Sequence, residues 1–408
     1  MNTTQISAQR IAADIETIGS LSECDPAIGY SRPTFSDPWR EARDYVIAEG
    51  ERFGGETRID AFGNVHIRRA ETGGGRLVWL CGSHLDSVPS GGKYDGVMGV
   101  VIALEVFRVA PDVPLEVIIF AEEEGTTFGL GMLGSRSWAG EVSPTQLAAL
   151  KNRHGLSFVE AGALYGVDPR RMEADRLHRE QYRGMIEVHA EQGLELWKTG
   201  IPAAAVTRIN GRREYEVRFS GQGNHAGSTR MTDRRDALTG ASEAILMIEA
   251  LGRRLDQEQQ HSVMTVGCVR VQPNAMNVIP GQAIFTVDFR AQEEQILDNG
   301  EQRLREELDR IAVQRDLGVE VAVNERVSPS PLDETLRKLF QEAARRLGKT
   351  LPEVPSGALH DAARIATCLP AGMLLVGSRD GISHDPREYS RNEDIVEAAE
   401  IVLETVRG

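Results

Sequence analysis

The stretch LEVIIFAEEEG, residues 115–125, decides how this chain folds. LEVIIFA is apolar and β-branched, the composition of a strand buried within a sheet. Glu122, Glu123 and Glu124 stand at its end. Adjacent carboxylates repel, and the end of a buried strand is a costly place to gather them, so a positive partner is required there. Outward from this stretch the pattern repeats. RLVWLCG (76–82) is a short apolar run ending in glycine, GVMGVVIALEVF (96–107) is helix-like, and GMIEVH (184–189) reads as another strand. After residue 327 a helix near 332–347 and the strand GMLLVGS (372–378) continue the alternation. Strands alternating with helices give an α/β sheet with helices on its faces.

Between residues 210 and 327 the texture differs. REYEVRFSG (213–221) and AIFTVDFRA (283–291) alternate apolar and polar residues, as half-buried strands with one wet face do. HSVMTVGCVRVQ (261–272) and VEVAVNE (319–325) add two more strands. Two long helices are predicted between them, the first with Asp233 as its cap. The order β-α-β-β-α-β is that of a ferredoxin-like α+β domain. The expected organisation is therefore a large α/β domain, 1–209 with 328–408, carrying an inserted small domain, 210–327.

The length of 408 residues exceeds one ordinary core, in keeping with two domains. Hydrophobic residues at 41% and charged residues at 26% describe a soluble globular protein. A net charge of −15, with no basic run, argues against a nucleic-acid partner. Cys24, Cys81, Cys268 and Cys368 form no CxxC, which fits free, mostly buried thiols in a reducing compartment. MNTTQISAQRIAADIETIG reads as an amphipathic helix without an apolar signal core, and no run is long enough to span a membrane. A cytoplasmic location is expected.

Chemistry gathers where the strands of the large domain end. After LVWLCG come His84, Asp86 and Asp95; after LEVIIFA the three glutamates; after MIEV, His189 and Gln192; after MLLVGS, His384. Ligands of open α/β sheets bind outside the carboxyl ends of the strands. Imidazoles and carboxylates converging there without cysteine point to divalent metal. One metal needs three or four ligands, and five candidates exist: His84, Asp95, Glu124, His189 and His384. That surplus suits two metals about 3.5–4 Å apart that share a carboxylate and activate a water, with a spare glutamate as general base. His84 and Asp86 are two apart, so on extended chain the Asp86 carboxylate would hold the second ring nitrogen of His84. The small domain offers His225 in GNHAGS, Asn277 in PNAMNVIPG and Arg290 in VDFR. There Arg would take a substrate carboxylate in fork geometry, while Asn and neutral His hold a carbonyl.

The set GSHLDSVPSGGKYDG, EEG, EVHAEQG, GNHAG, RRDAL, NVIPG, DFR, SGALHDA and GISHDPREYS resembles the amidase, hydantoinase and carbamoylase branch of the two-metal amidohydrolases and exopeptidases. That branch includes N-carbamoyl-L-amino-acid hydrolases, β-ureidopropionase and allantoate amidohydrolase. The resemblance runs through residues 82–390 and implies an exopeptidase-like α/β metal-binding domain with an inserted lid and dimerisation domain. It implies that His84 and His189 hold one metal, Glu124 and His384 the other, and that Asp95 bridges them. The metals would be Zn, Mn, Co or Ni. Glu123 would be the general base, and Asp86 would support His84. Gln192, His225, Asn277 and Arg290 would contact substrate, with His225 reaching across a homodimer interface. The implied reaction is hydrolysis of the ureido C–N bond of an N-carbamoyl-L-amino acid or related ureido acid, with allantoate as an alternative substrate. Strand geometry alone would pair Glu122 with Glu124 on one face and would not choose the base; the EEG register of the resemblance makes that choice.

Two positions depart from the pattern. Thr127 in EEGTTF stands where relatives carry arginine, and Leu359 in SGALHDA where they carry a small residue, which reshapes the substrate pocket. His360 is expected in the pocket wall and not as a ligand. A peptidase or N-acyl amino acid deacylase is the nearest rival, weighed against by the HAEQG form. GLGMLG (129–134) matches a dinucleotide fingerprint, but three glutamates upstream would repel a pyrophosphate and Glu141 follows too soon.

Overall fold

The computed structural model describes residues 5–69, 77–259 and 261–408. The opening MNTT of the expected first helix and Arg76 of the expected strand lie outside them. In chain order the strands are β1 (Glu56–Ile59), β2 (Val65–Arg68), β3 (Val78–His84), β4 (Leu115–Phe120), β5 (Tyr182–Ala190) and β6 (Ala203–Ile209). Next come β7 (Gly211–Ser220), β8 (Asn224–His225), β9 (Val263–Thr265), β10 (Val269–Gln272), β11 (Val278–Ile279), β12 (Gln282–Ala291) and β13 (Gly318–Val327). The chain ends through β14 (Ser330–Pro331), β15 (Glu353–Ser356) and β16 (Ala371–Val376). It forms two compact units, Met1–Thr207 with Pro331–Gly408, and Arg208–Ser330.

The first unit holds a nine-stranded sheet in the order β1-β2-β4-β3-β5-β16-β6-β14, with β15 beside β6. The central four, β4, β3, β5 and β16, run parallel. Antiparallel neighbours, β2 on β4 and β6 on β16, flank them. Every residue of β3, β4 and β16 is buried, which is why these strands read as unbroken apolar runs. The helix Val97–Val109 is buried on all sides and packs on β3, β4 and β5, so its sequence is apolar throughout rather than amphipathic. From β3 the chain first adds β4 on one side and later β5 on the other, so the strand order reverses at β3. A crevice at such a reversal is where ligands of open sheets bind.

The second unit is a sheet in the order β10-β12-β7-β13, with β9 also on β12, all antiparallel. Helices Ala237–Glu258 and Glu294–Gln314 pack on it. Tyr215, Val217, Phe219, Phe285 and Phe289 meet Ala244, Ile248, Leu251, Leu304 and Leu308 in its core. This is the predicted β-α-β-β-α-β unit, with two local differences. The stretch 261–272 is two strands, because Val266–Cys268 leaves the ladder between β9 and β10 and bonds instead through Cys268 O to Thr286 N. Asp236, not Asp233, caps the first helix: its carboxylate accepts from the amides of Leu238 and Thr239 at 3.0 and 3.2 Å. Asp233 closes a separate turn of 3-10 helix, Met231–Asp233, and only Asp236 adjoins the first helical residue.

All four cysteines are free, but only Cys81 is buried; Cys24 and Cys368 are half-buried and Cys268 is exposed. Among the described residues no helix is long and apolar enough to cross a membrane.

Candidate metal centre

The carboxyl ends of the four parallel strands bring the five predicted donors together. His84 closes β3, His189 sits near the end of β5, and Glu124 and His384 follow β4 and β16. Asp95 lies in the loop before helix Val97–Val109. Asp95 Oδ1 is 3.0 Å from His189 Nε2, and Asp95 Oδ2 is 3.0 Å from His384 Nε2. His84 Nε2 lies 3.8 Å from Asp95 Oδ1, and Glu124 Oε1 lies 3.7 Å from His384 Nε2. Two donor triads result, His84–Asp95–His189 and Asp95–Glu124–His384, each with its ligand atoms within 4.8 Å of one another. They share Asp95.

The donors suit divalent cations. His84 Nδ1 faces the backbone oxygen of Asp86 at 2.9 Å, and His189 Nδ1 faces that of Ala190 at 3.1 Å. A carbonyl can only accept, so each ring carries a proton on Nδ1 and turns Nε2 inward; at His84 that nitrogen offers a lone pair, and at His189 a metal would replace the proton now shared with Asp95. His84 Nε2 and Glu124 Oε1 are buried without a hydrogen-bond partner among the described residues. Orphaned donor atoms of this kind, all nitrogen and oxygen, fit a metal. The support for His84 is a correction to the sequence reading. It comes from the carbonyl of Asp86, because the chain turns after β3. The Asp86 carboxylate stays 3.8 Å from the ring and accepts instead from the amide of Glu124 at 3.1 Å.

The three glutamates part company. The strand ends at Phe120 and Glu122 adopts a left-handed φ of 57°, so the alternation that would place Glu122 and Glu124 on one face does not extend to them. Glu122 turns away and accepts from the amides of Thr127 and Phe128 at 2.8 and 2.6 Å, folding the loop back on itself. Glu123 Oε2 lies 3.8 Å from His84 Nε2, beside the first triad, and Glu124 belongs to the second.

The electrostatics show how much charge is concentrated. Burial, then the repulsion of Glu124, Asp361, Asp86 and Asp95, pushes the Glu123 carboxyl well above the usual range. Burial, then Asp95 and Asp86, does the same to Glu124. Burial also raises Asp86 to about 6 and Glu122 to about 7. For Asp95 burial acts upward, but hydrogen bonds with His189 and His384 outweigh it and hold the group well below the carboxylate range. Burial lowers His84 to about 4; His189, also buried, is carried up to about 9 by Asp95. Burial lowers the Arg32 guanidinium to about 10, with the charge of Asp86 acting against that, while its donors go to the carbonyls of Leu85, Ile18 and Leu21. Cations are the natural complement of such a cluster.

Residues that the sequence reading did not single out hold this arrangement. Glu187 accepts from Ser83 Oγ at 2.7 Å and from the amide of Ala362 at 2.8 Å. Asp361 is fully buried and takes the hydroxyl of Ser135. Glu388 accepts from the amides of Tyr94 and Asp95. A buried acid inside a charged string such as HDPREYS carries no periodic signal, so nothing in the sequence separates Glu388 from its solvated neighbours. Gln192 Nε2 lies 3.1 Å from Ser383 Oγ and 3.3 Å from His384 Nε2. His360 Nε2 is 2.8 Å from Ser356 Oγ, and its ring centroid is 4.5 Å from that of His189, with half-buried Leu359 next to it.

His225, Asn277 and Arg290 belong to the second unit. His225 lies on β8, paired with β11, and the carbonyl of Asn277 accepts from the amide of Ala226 at 3.0 Å. His225 Nδ1 accepts from the amides of Gly227 and Ser228, which leaves the ring proton on Nε2. Arg290 directs Nε and Nη2 to the two oxygens of Asp288, both at 2.9 Å. The fork expected for a substrate carboxylate is thus occupied by an internal one.

Comparison with known proteins agrees with this geometry. The profile of Peptidase family M20/M25/M40 matches residues 80–408. An N-carbamoyl-L-amino acid amidohydrolase of Geobacillus stearothermophilus is 33% identical over 407 residues, 98% of each chain. An allantoate amidohydrolase of Bacillus subtilis (strain 168) is 35% identical over 370 residues, 89% of this chain and 88% of that one. The crystal structure of an amidase of the hydantoinase/carbamoylase family from Burkholderia multivorans shares 31% identity, covers 99% of this chain and 98% of that one, and superposes with a TM-score of 0.88. A strand order that reverses at β3, two donor triads joined by Asp95 and these full-length likenesses agree: the chain belongs to peptidase family M20/M25/M40 and, within it, to the hydantoinase/carbamoylase amidases.

Proposed function

We propose that this protein hydrolyses the ureido C–N bond of N-carbamoyl-L-amino acids or a related ureido acid, giving the free amino acid, CO2 and ammonia. The observation that carries the reading is the pair of donor triads sharing Asp95, with Glu123 beside them. His84, Asp95 and His189 would hold one divalent cation, Asp95, Glu124 and His384 a second. Bound there, Zn, Mn, Co or Ni supplies charge that acidifies a water and polarises the carbamoyl oxygen. Glu123 takes the proton of the attacking water and delivers it to the departing nitrogen, from a position beside the first triad with Oε2 3.8 Å from His84 Nε2. Gln192 orients the substrate, and the Nε2–H of His225, fixed by the two amides on Nδ1, donates to the developing oxyanion. Asn277 is a further contact. Arg290 meets the substrate carboxylate only if it yields part of its pairing with Asp288.

The second unit acts as lid and dimerisation domain in a cytoplasmic homodimer. Exposed Leu246, Val269 and Met276 on that unit support an interface, and free thiols support a reducing compartment. Sedimentation analysis tests the dimer. Allantoate is the second reading, favoured by the Bacillus subtilis relative at 35% identity. The deciding experiment measures ammonia release from N-carbamoyl amino acids, N-carbamoyl-β-alanine and allantoate with added Mn²⁺, Co²⁺, Ni²⁺ or Zn²⁺. Turnover of peptides or N-acyl amino acids with none of the ureido acids would replace this reading by a metallopeptidase or deacylase.

A further inference from the structure

Glu388 lies at the centre of an unusual set of hydrogen bonds. Its side chain is buried, at 4% exposure. Oε2 accepts from the amides of Tyr94 and Asp95 at 2.8 and 3.1 Å. Oε1 accepts from Ser383 Oγ at 2.8 Å. Ser383 Oγ in turn accepts from Gln192 Nε2 at 3.1 Å, and Ser383 directly precedes His384. One carboxylate therefore joins three segments that are far apart in sequence: the loop bearing Asp95, the loop bearing His384, and the end of β5 with Gln192. The donors it meets here are neutral. Burying a carboxylate against neutral donors, close to other acids, lowers stability relative to an apolar side chain unless it serves another purpose. The surroundings also make room for it. A Cβ at buried Gly92 would stand 2.0 Å from Glu388 Oε2, so the absence of a side chain at residue 92 is what admits the carboxylate.

We propose that Glu388 is the positioning residue of the centre: it fixes the backbone that aims Asp95 and, through Ser383, the loop that aims His384 and the side chain of Gln192. The proposal rests on the reading of Asp95 and His384 as ligands. Asp95 contributes to both triads, so a small rotation of its backbone moves one oxygen out of each at once. Partners that hold ligands in this way typically change metal affinity about 10–100-fold when altered. A carboxylate rather than a hydroxyl is needed because two separate acceptors are used, Oε2 by the amides of Tyr94 and Asp95 and Oε1 by Ser383 Oγ.

Two variants test this from opposite sides. Glu388→Gln keeps the shape but places an amide nitrogen where an acceptor is required. Gly92→Ala keeps the carboxylate and displaces it. Mn²⁺ affinity of the full-length chain is measured by chelator competition after metal removal, with KM and kcat on the best ureido substrate alongside. Each variant is expected to weaken Mn²⁺ binding about tenfold or more while unfolding as cooperatively as the parent, and Glu388→Gln also to raise KM through Gln192. A purely structural role would lower the unfolding temperature and leave the affinity of the folded protein alone. Affinity within twofold of the parent in both folded variants overturns the proposal; if Gly92→Ala fails to fold, the isosteric Glu388→Gln decides by the same threshold. Asp95→Ala separates the two levels. If it too binds like the parent, the metal-centre reading has failed; if it alone loses binding, only the role of Glu388 has.

Discussion

Gly96 leaves open the space that the His84 imidazole fills: a Cβ on Gly96 would stand 2.5 Å from Nδ1 and Cε1 of the ring. Gly96 also holds φ at 65° as it starts the helix Val97–Val109. Gly96→Ala should therefore both strain the backbone, by about 1–3 kcal/mol, and turn His84 away from its triad. The expected outcome is a folded, less stable protein that retains less metal than the parent in elemental analysis. A full metal complement in this variant would remove His84 from the ligand set.

Glu123→Gln should keep its metals and lose turnover. Loss of a positioned proton carrier typically lowers kcat about 10²–10⁴-fold. Elemental analysis and steady-state rates on one sample check both halves. A near-normal kcat would mean that another group moves the proton.

His66 gives a pH dependence remote from the metal centre. Its buried ring lies 2.7 Å from Glu116 Oε1 and 3.1 Å from Asp60 Oδ2. Burial disfavours the imidazolium, but the two carboxylates more than offset it and raise the pKa above the ordinary value. The complementary effect is seen in Glu116, where burial acts upward and His66 brings the group below its ordinary value. A raised histidine stabilises the fold fully below its unfolded pKa of about 6.5, and that contribution is lost as pH rises through the higher folded value. His66→Gln should consequently destabilise more at pH 6 than at pH 9 in urea denaturation. An equal penalty at both would show that the ring is not charged at pH 6.

Divalent cations should stabilise the protein by an amount that grows with the ratio of their free concentration to Kd. A ligand at one hundred times its Kd contributes about 2.7 kcal/mol per site. Calorimetry of the chelated protein with increasing Mn²⁺ is expected to show a Tm that rises with the logarithm of the free concentration above Kd. No shift would be incompatible with a folded-state site.

Leu359 adjoins His360, whose ring lies against that of His189. Leu359→Gly should admit bulkier ureido acids and change their kcat/KM ratio relative to small ones by about 1–3 kcal/mol, or 10–200-fold. An unaltered ranking across the substrate panel would place Leu359 outside the pocket.

Much of this was legible in the sequence because the features involved are periodic or terminal. β3, β4 and β16 are buried on both faces and so read as apolar runs, and polar donors at their ends stand out against them. What stayed hidden depends on backbone direction after a strand stops. The turn beyond His84 presents the carbonyl of Asp86 rather than its carboxylate, and the left-handed Glu122 cancels the alternation expected of three consecutive glutamates. Glu388 reaches Asp95 across 293 positions, and no local pattern encodes such a contact. Arg290 shows the converse: its residue type was informative, but Asp288, two positions earlier on the same strand, already occupies its fork.

The chain leaves the nine-stranded sheet along β6 and returns along β14, its neighbour, and the amide of Leu332 bonds to the carbonyl of Thr207 at 3.0 Å. Exit and re-entry are thus one hydrogen bond apart. Topologically, the intervening 123 residues of Arg208–Ser330 are the tip of a hairpin. A tight turn in their place would close the sheet without moving a strand that ends at a donor triad. The module is thus inserted at a single edge of the sheet, outside the strands whose ends carry the donor triads, while the substrate contacts proposed for His225 and Asn277 come and go with it.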